Sequence, residues 1–139
     1  MVTGEYATAW DALVARLQAA TSELGVPPER IVRGEFGKQP SLEAPYVLVY
    51  LEPEAAVTTS AGGVLDVTYR LRVFVVVSRE EQAQAITEAW DLGVRVYDAL
   101  TAGSAPRLIV PEGEPPILID YVAGSVAVVV VQLDVFPDA

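Results

Sequence analysis

The chain has 139 residues and a mass of 14.9 kDa, the length of one domain spanning 1–139; 52% of it is apolar and 20% charged, which excludes general disorder. Nineteen acids against nine bases leave a net charge of -10, and the bases are scattered from Arg16 to Arg107, which argues against gripping nucleic-acid phosphates or an anionic membrane as a main role. With no cysteine and no histidine, the chain has no disulfide framework, no thiolate nucleophile, no Ser-His-Asp or Cys-His catalysis and no Cys- or His-based metal chemistry.

Along the chain, Tyr6, Trp10, Leu13, Val14, Leu17, Ala20 and Leu24 fall at spacings of three and four, which predicts an amphipathic helix from Tyr6 to Leu24. Gly25 follows where a positive φ is wanted, and Pro27 with Pro28 stops the helix. Residues 29–44 combine glycines, Pro40 and many charges around Ile31 and Val32, a loop with at most a brief strand. The β-branched and aromatic run Tyr46-Val47-Leu48-Val49-Tyr50-Leu51 predicts a strand that opens at Pro45 and stops at Pro53. The small and polar residues from Glu54 to Gly63 then read as a long hairpin arm or a mobile loop, protruding at about 52–63.

From Val64 to Val77 the odd positions are apolar without a break, Leu65 through Val77, so that face of the strand belongs to the core. Ser78 is placed to cap a helix from Glu80 to Ala102, which Gly103 would close. That helix is apolar over more than half its circumference, with one stripe through Ile86, Trp90, Val94 and Tyr97 and a second through Ala85, Ala89, Leu92 and Val96. Both Trp10 and Trp90 are expected to pack in the core. The polar line includes Glu88 and Asp91, expected to pair with Arg95. Two short apolar runs, 108–110 and 117–119, flank a turn at 111–116 that cannot sit inside a sheet, and a last strand from Ser125 to Phe136 is apolar on both faces. The expected architecture is α+β: a mixed, mainly antiparallel sheet of four to five strands with two helices packed on one face.

No catalytic, cofactor-binding or metal-ligating set emerges, so neither an enzyme nor a cofactor is expected. The one lysine, Lys38, sits between Gly37 and Gln39 in an exposed loop and not in an apolar pocket that would lower its pKa. Metal-dependent acid chemistry would rest on Glu112 with Glu114 or Glu52 with Glu54, and both pairs read as solubilising loop acids beside prolines. There is no EF-hand spacing, no phosphate-binding glycine-lysine loop and no dinucleotide fingerprint. The first thirty residues show no secretory signal, and the apolar run from Val126 to Val131 is far short of the roughly 20 residues that span a bilayer.

The layers point instead to association. Two helices cover one sheet face and leave the other, carrying Arg70, Arg72, Phe74 and Val76 on one strand and Val126, Val128 and Val130 on another, in need of a cover. These seven residues form the candidate subunit interface, with sheet packing or strand addition between protomers. Arg70 and Arg72 could equally meet acids of a neighbouring strand such as Asp134, and the loop at 29–44 could fold over the face. In the protruding arm, Val57, Thr58, Thr59 and Ser60 are the candidate inter-subunit contacts.

The segment Ala44-Pro45-Tyr46-Val47-Leu48-Val49, followed about twenty residues later by Arg72-Val73-Phe74-Val75-Val76-Val77-Ser78 and a helix ending Tyr97-Asp98-Ala99-Leu100, resembles in order and size the tail terminator and tail-completion proteins of long-tailed bacteriophages over residues 5–136. It differs from them in its Pro-rich turn at 111–116 and in the length between Gly25 and Pro45. The resemblance implies a structural virion protein made in the host cytoplasm: a homohexameric ring that ends the tail tube and joins it to the head-tail connector, through which DNA passes without sequence-specific binding. Its partners would be further copies of itself, the tube protein and the connector proteins, with no membrane. The alternative is a small ligand-binding or regulatory α+β module, monomeric or dimeric, that uses the open sheet face as its pocket.

Overall fold

In a computed structural model describing residues 2–34, 43–59, 65–103 and 105–137, the strand with the unbroken period-two pattern lies in the middle of the sheet. The elements in chain order are α1 (Val2–Ala19), a four-residue α2 (Thr21–Leu24), a 3₁₀ turn (Pro28–Arg30), β1 (Ile31–Arg33), β2 (Tyr46–Thr59), β3 (Leu65–Ser78), α3 (Gln82–Thr101), β4 (Arg107–Ile109), β5 (Ile117–Ala123) and β6 (Val126–Phe136). The fold is α+β. The sheet runs β1-β2-β3-β6, and β4 and β5 share the outer edge of β6. Only β1 with β2 is parallel. The strand count is six because Ile31 and Val32 do form a strand and because the Pro-rich turn divides the last position into two short strands, one opposite 134–136 and one opposite 126–131.

The helix-covered face follows the odd-numbered pattern. Val47, Val49 and Leu51 on β2, Tyr69, Leu71, Val73, Val75 and Val77 on β3, and Ala127, Val129, Val131, Leu133 and Val135 on β6 are all buried. α1 lies over β1 and β2, and α3 over β3, β6 and β5. Buried Trp10 donates its indole N–H to the Val49 carbonyl at 2.8 Å, while its ring packs at a tilt against Tyr6 and under the Arg33 guanidinium. Tyr6 also tilts against Tyr69, so the three rings tie the start of α1 to the sheet.

Several expectations at element ends are corrected. The first helix breaks at Ala20, and the short α2 carries the pattern on to Gly25, which has φ 71° and donates its N–H to the Thr21 carbonyl as expected. β2 does not stop at Pro53. Between Leu51 and Ala55 the register slips, so that Glu52, Pro53 and Glu54 lie opposite Arg70 alone, and a residue without an N–H sits where the ladder is already interrupted. Ser78 is the last residue of β3 and caps nothing; α3 starts after Glu81 without a side-chain cap. Glu88 pairs with Arg79 at the end of β3, not with Arg95, whose partner is Asp91 one turn back at 3.0 Å.

Gly103 has a different reason from the one expected. It has no positive φ, and the residue closing α3, Ala102, is right-handed. A Cβ at Gly103 would instead lie 2.5 Å from Arg16 Cζ. Arg16 reaches across from α1 to donate to the carbonyls of Leu100, Ala105 and Pro106, supplying positive charge and donors at the C-terminus of α3. Burial lowers its pKa.

Candidate functional site

The seven residues expected on the second sheet face do come together. Register places Arg70 opposite Asp134, Arg72 opposite Gln132, Phe74 opposite Val130, Val76 opposite Val128 and Ser78 opposite Val126, so β3 and β6 carry one continuous strip, polar at one end and apolar at the other. This juxtaposition follows from the side-chain period of two once the strands pair.

The polar end is occupied from within the chain. Arg70 holds Asp134 through Nε and Glu114 through Nη2, each at 2.9 Å. Burial opposes its charge, but the hydrogen bonds and charges of those two carboxylates outweigh it and raise the Arg70 pKa. Arg72 forms an ion pair with Glu52 at 2.8 Å, without the alignment of a hydrogen bond. The turn between β4 and β5 closes over this end: Gln132 donates its side-chain amide to the Pro115 carbonyl at 2.9 Å and its backbone N–H to Pro116 at 2.8 Å, and Pro111 is buried. Glu114 and Glu52, read as solubilising loop acids, are instead each held by an arginine, while Glu112 stays exposed. Among the described residues no cluster of three acids could hold a metal ion.

At the apolar end Val76 and Val130 are buried, and Phe74, Val126 and Val128 are half-buried. Of the segment expected as a possible cover for this face, 29–44, residues 35–42 lie outside the described residues.

The arm is a hairpin. Ala55–Thr59 pair with Tyr69–Leu65, and the described ladder partners of 56–59 and 65–68 are each other, since β1 meets β2 only at 47–49 and β6 meets β3 only from Tyr69 on. The four residues beyond Ala55, at about 3.3 Å each, carry the ribbon about 13 Å past the sheet. Val57, Thr58 and Thr59 stand at register positions opposite Val67, Asp66 and Leu65, and Ser60 lies outside the described residues.

A second surface emerges that the hydropathy pattern does not single out. Trp90, expected in the core, is 41% exposed, and Val94 beside it is 39% exposed. The buried residues of α3 are Ala85, Ala89, Leu92, Gly93, Val96 and Leu100, and at its middle the helix lies so close to the sheet that a Cβ on Gly93 would be 2.8 Å from Val129 Cγ1. A larger side chain does not fit at 93, and Trp90 and Val94 stand outside this close contact. Ile119, Tyr121, Ile109 and Val110 on the β4–β5 edge complete the large hydrophobics that the described residues expose. Ile119 shares register with Val129 on the helix side, and Tyr121 and Ile109 with Val128 and Asp134 on the other, so the apolar rim wraps around the edge. The small-residue stripe on α3 was the available signal, since small side chains mark the close approach.

No protein-family model matches the chain, and no curated protein matches it either.

Proposed function

We propose that this chain is a structural ring subunit, of the kind that ends a phage tail tube and joins it to the head-tail connector, and that it acts by assembly and not by catalysis. The observation that carries this reading is the hairpin arm: a two-stranded ribbon is marginally stable in water by itself, and a chain that extends one about 13 Å beyond its sheet gains from a neighbour to lie against. Phe74, Val126 and Val128, half-buried on β3 and β6, and the exposed rim of β4 and β5 supply surface for such neighbours. The tail-specific part of the proposal rests on the order of elements, helix, strand, arm, long strand, helix and closing strands.

Light scattering across a wide concentration range tests the assembly reading. A species near six times 14.9 kDa, with a central channel on imaging, supports the ring. A mass fixed at one subunit at every concentration overturns it.

A further inference from the structure

Two surfaces on this chain each lack a partner, and they differ from one another. The first is the arm, whose strands pair only with each other beyond Tyr69 among the described residues. The second is the outer edge of β4 and β5, which face only β6 and carry, with the flank of α3, all six exposed large hydrophobics of the described residues: Trp90, Val94, Ile109, Val110, Ile119 and Tyr121. An exposed edge bearing large apolar side chains is an invitation to pair. The bulge between Ile119 and Tyr121, with Asp120 at its centre, breaks the ladder and restricts which strand can approach.

Charge relates the two surfaces. Residues 54–68 contain Glu54 and Asp66 and no lysine or arginine. Among the described arginines, those at 30, 33, 70, 72, 79 and 95 each pair with a carboxylate of this chain, and Arg16 is held by carbonyls. Arg107 is the exception: it starts β4 on the apolar edge, with its guanidinium 4.9 Å over the Phe136 ring and no carboxylate partner among the described residues. A cation with no carboxylate partner among the described residues thus stands on the edge, and the sequence of the arm carries acids and no base.

We propose that these surfaces are the two halves of one heterologous contact, in which the arm of one copy seats on the β4–β5 edge and α3 flank of the next, its acids toward Arg107. The occupant is a second copy of this chain, so the proposal rests on the ring reading and specifies its interface. Because the two halves are unlike, every subunit offers one of each, and repetition closes a ring or runs on as a filament.

The test mixes two full-length variants. Trp90→Glu with Arg107→Glu damages the edge, and Glu54→Lys with Asp66→Lys damages the arm. Trp90 and Arg107 are exposed, and circular dichroism and melting confirm the folding of every variant; Tyr121→Asp, at the most exposed of the six positions, replaces the edge variant if it does not fold. Each variant alone is expected to remain monomeric where the wild type assembles. Mixed together, they retain one undamaged half each and should form a particle of two chains, one of each kind. If either variant keeps the wild-type mass, or the mixture stays monomeric while the wild type forms rings, this interface is wrong and the ring stands. A wild type that is monomeric throughout overturns both.

Discussion

Arg70 and Arg72 sit two residues apart on one strand, yet their surroundings give them different weights. Arg70 is flanked by Asp134 and Glu114 under the closing turn, with its side chain 23% exposed, whereas Arg72 pairs with Glu52 at 42% exposure. Charge-assisted hydrogen bonds shielded from water contribute more than an open pair. Arg70→Ala is expected to lower stability by about 1–2 kcal/mol and Arg72→Ala by about 0.5 kcal/mol, read from urea midpoints. Equal losses would show that the turn does not shield Arg70. Tyr6 carries a pH dependence. Its hydroxyl donates to the Leu51 carbonyl, and its pKa is raised, first by burial and then by Tyr50. Between the ordinary tyrosine pKa near 10 and the raised one, the folded chain holds a proton that the unfolded chain has lost, so this stability is complete below about pH 10 and disappears as pH rises through the folded value. Tyr6→Phe should cost about 1 kcal/mol at pH 8 and flatten the alkaline decline of the melting temperature. An unchanged alkaline limb in that variant would assign the decline to other groups.

At the scale of elements, the closeness of α3 to the sheet is the feature to probe. Gly93→Ala improves helix propensity by about 1 kcal/mol but forces a methyl to 2.8 Å from Val129 Cγ1. Overpacking costs about 1–3 kcal/mol, so a net loss of about 1 kcal/mol is expected in thermal or chemical unfolding. A gain would mean that Val129 yields easily and the packing is looser than described. The arm obeys a different physics. Its backbone bonds lie in a ribbon with no described third strand, so amides at 55–59 and 65–68 should exchange with solvent much faster in dilute protein than those of β3 from Leu71 to Val77. On assembly they should become protected. Protection already complete in the monomer would place a cover over the arm from within the chain.

For the whole molecule, the two tryptophans form a natural pair of reporters. Trp10 is 6% exposed and bonded to β2, and Trp90 is 41% exposed on the flank of α3. With Trp10 replaced by Phe, the emission of Trp90 should shift to the blue and resist iodide quenching as concentration rises through the assembly range. A spectrum constant across that range, in a protein whose mass does increase, would move the interface away from α3. Raising salt should weaken assembly if Arg107 meets the acidic arm, because a rim charge pair is screened within a Debye length of about 8 Å at physiological ionic strength.

The sequence by itself determined the elements whose periodicity is unambiguous. The strand from Leu65 to Val77, the core face of β2 and β6, and the stop at Gly25 follow from local sterics and a side-chain repeat of two or 3.6 residues, which need no knowledge of neighbours. The strip from Arg70 to Val76 against Val126 to Val130 was legible for the same reason, as was the pairing of Arg70 with Asp134. Tertiary structure alone decided what depends on distance between elements. Pro53 ends a strand in isolation, but a bulge lets the ladder resume beyond it. Trp90 and Val94 belong to a stripe as hydrophobic as the buried one, and their exposure, like the close approach of α3 to Val129 at Gly93, emerges only once the helix is laid on the sheet. The turn at 111–116 reads as a simple breaker, and its clasp on Arg70 and Gln132 appears only when β4 and β5 are laid along the same edge of β6. A repeat in the sequence records which residues share a face, while the neighbour that reaches that face, and how near it comes, is a property of the packed chain.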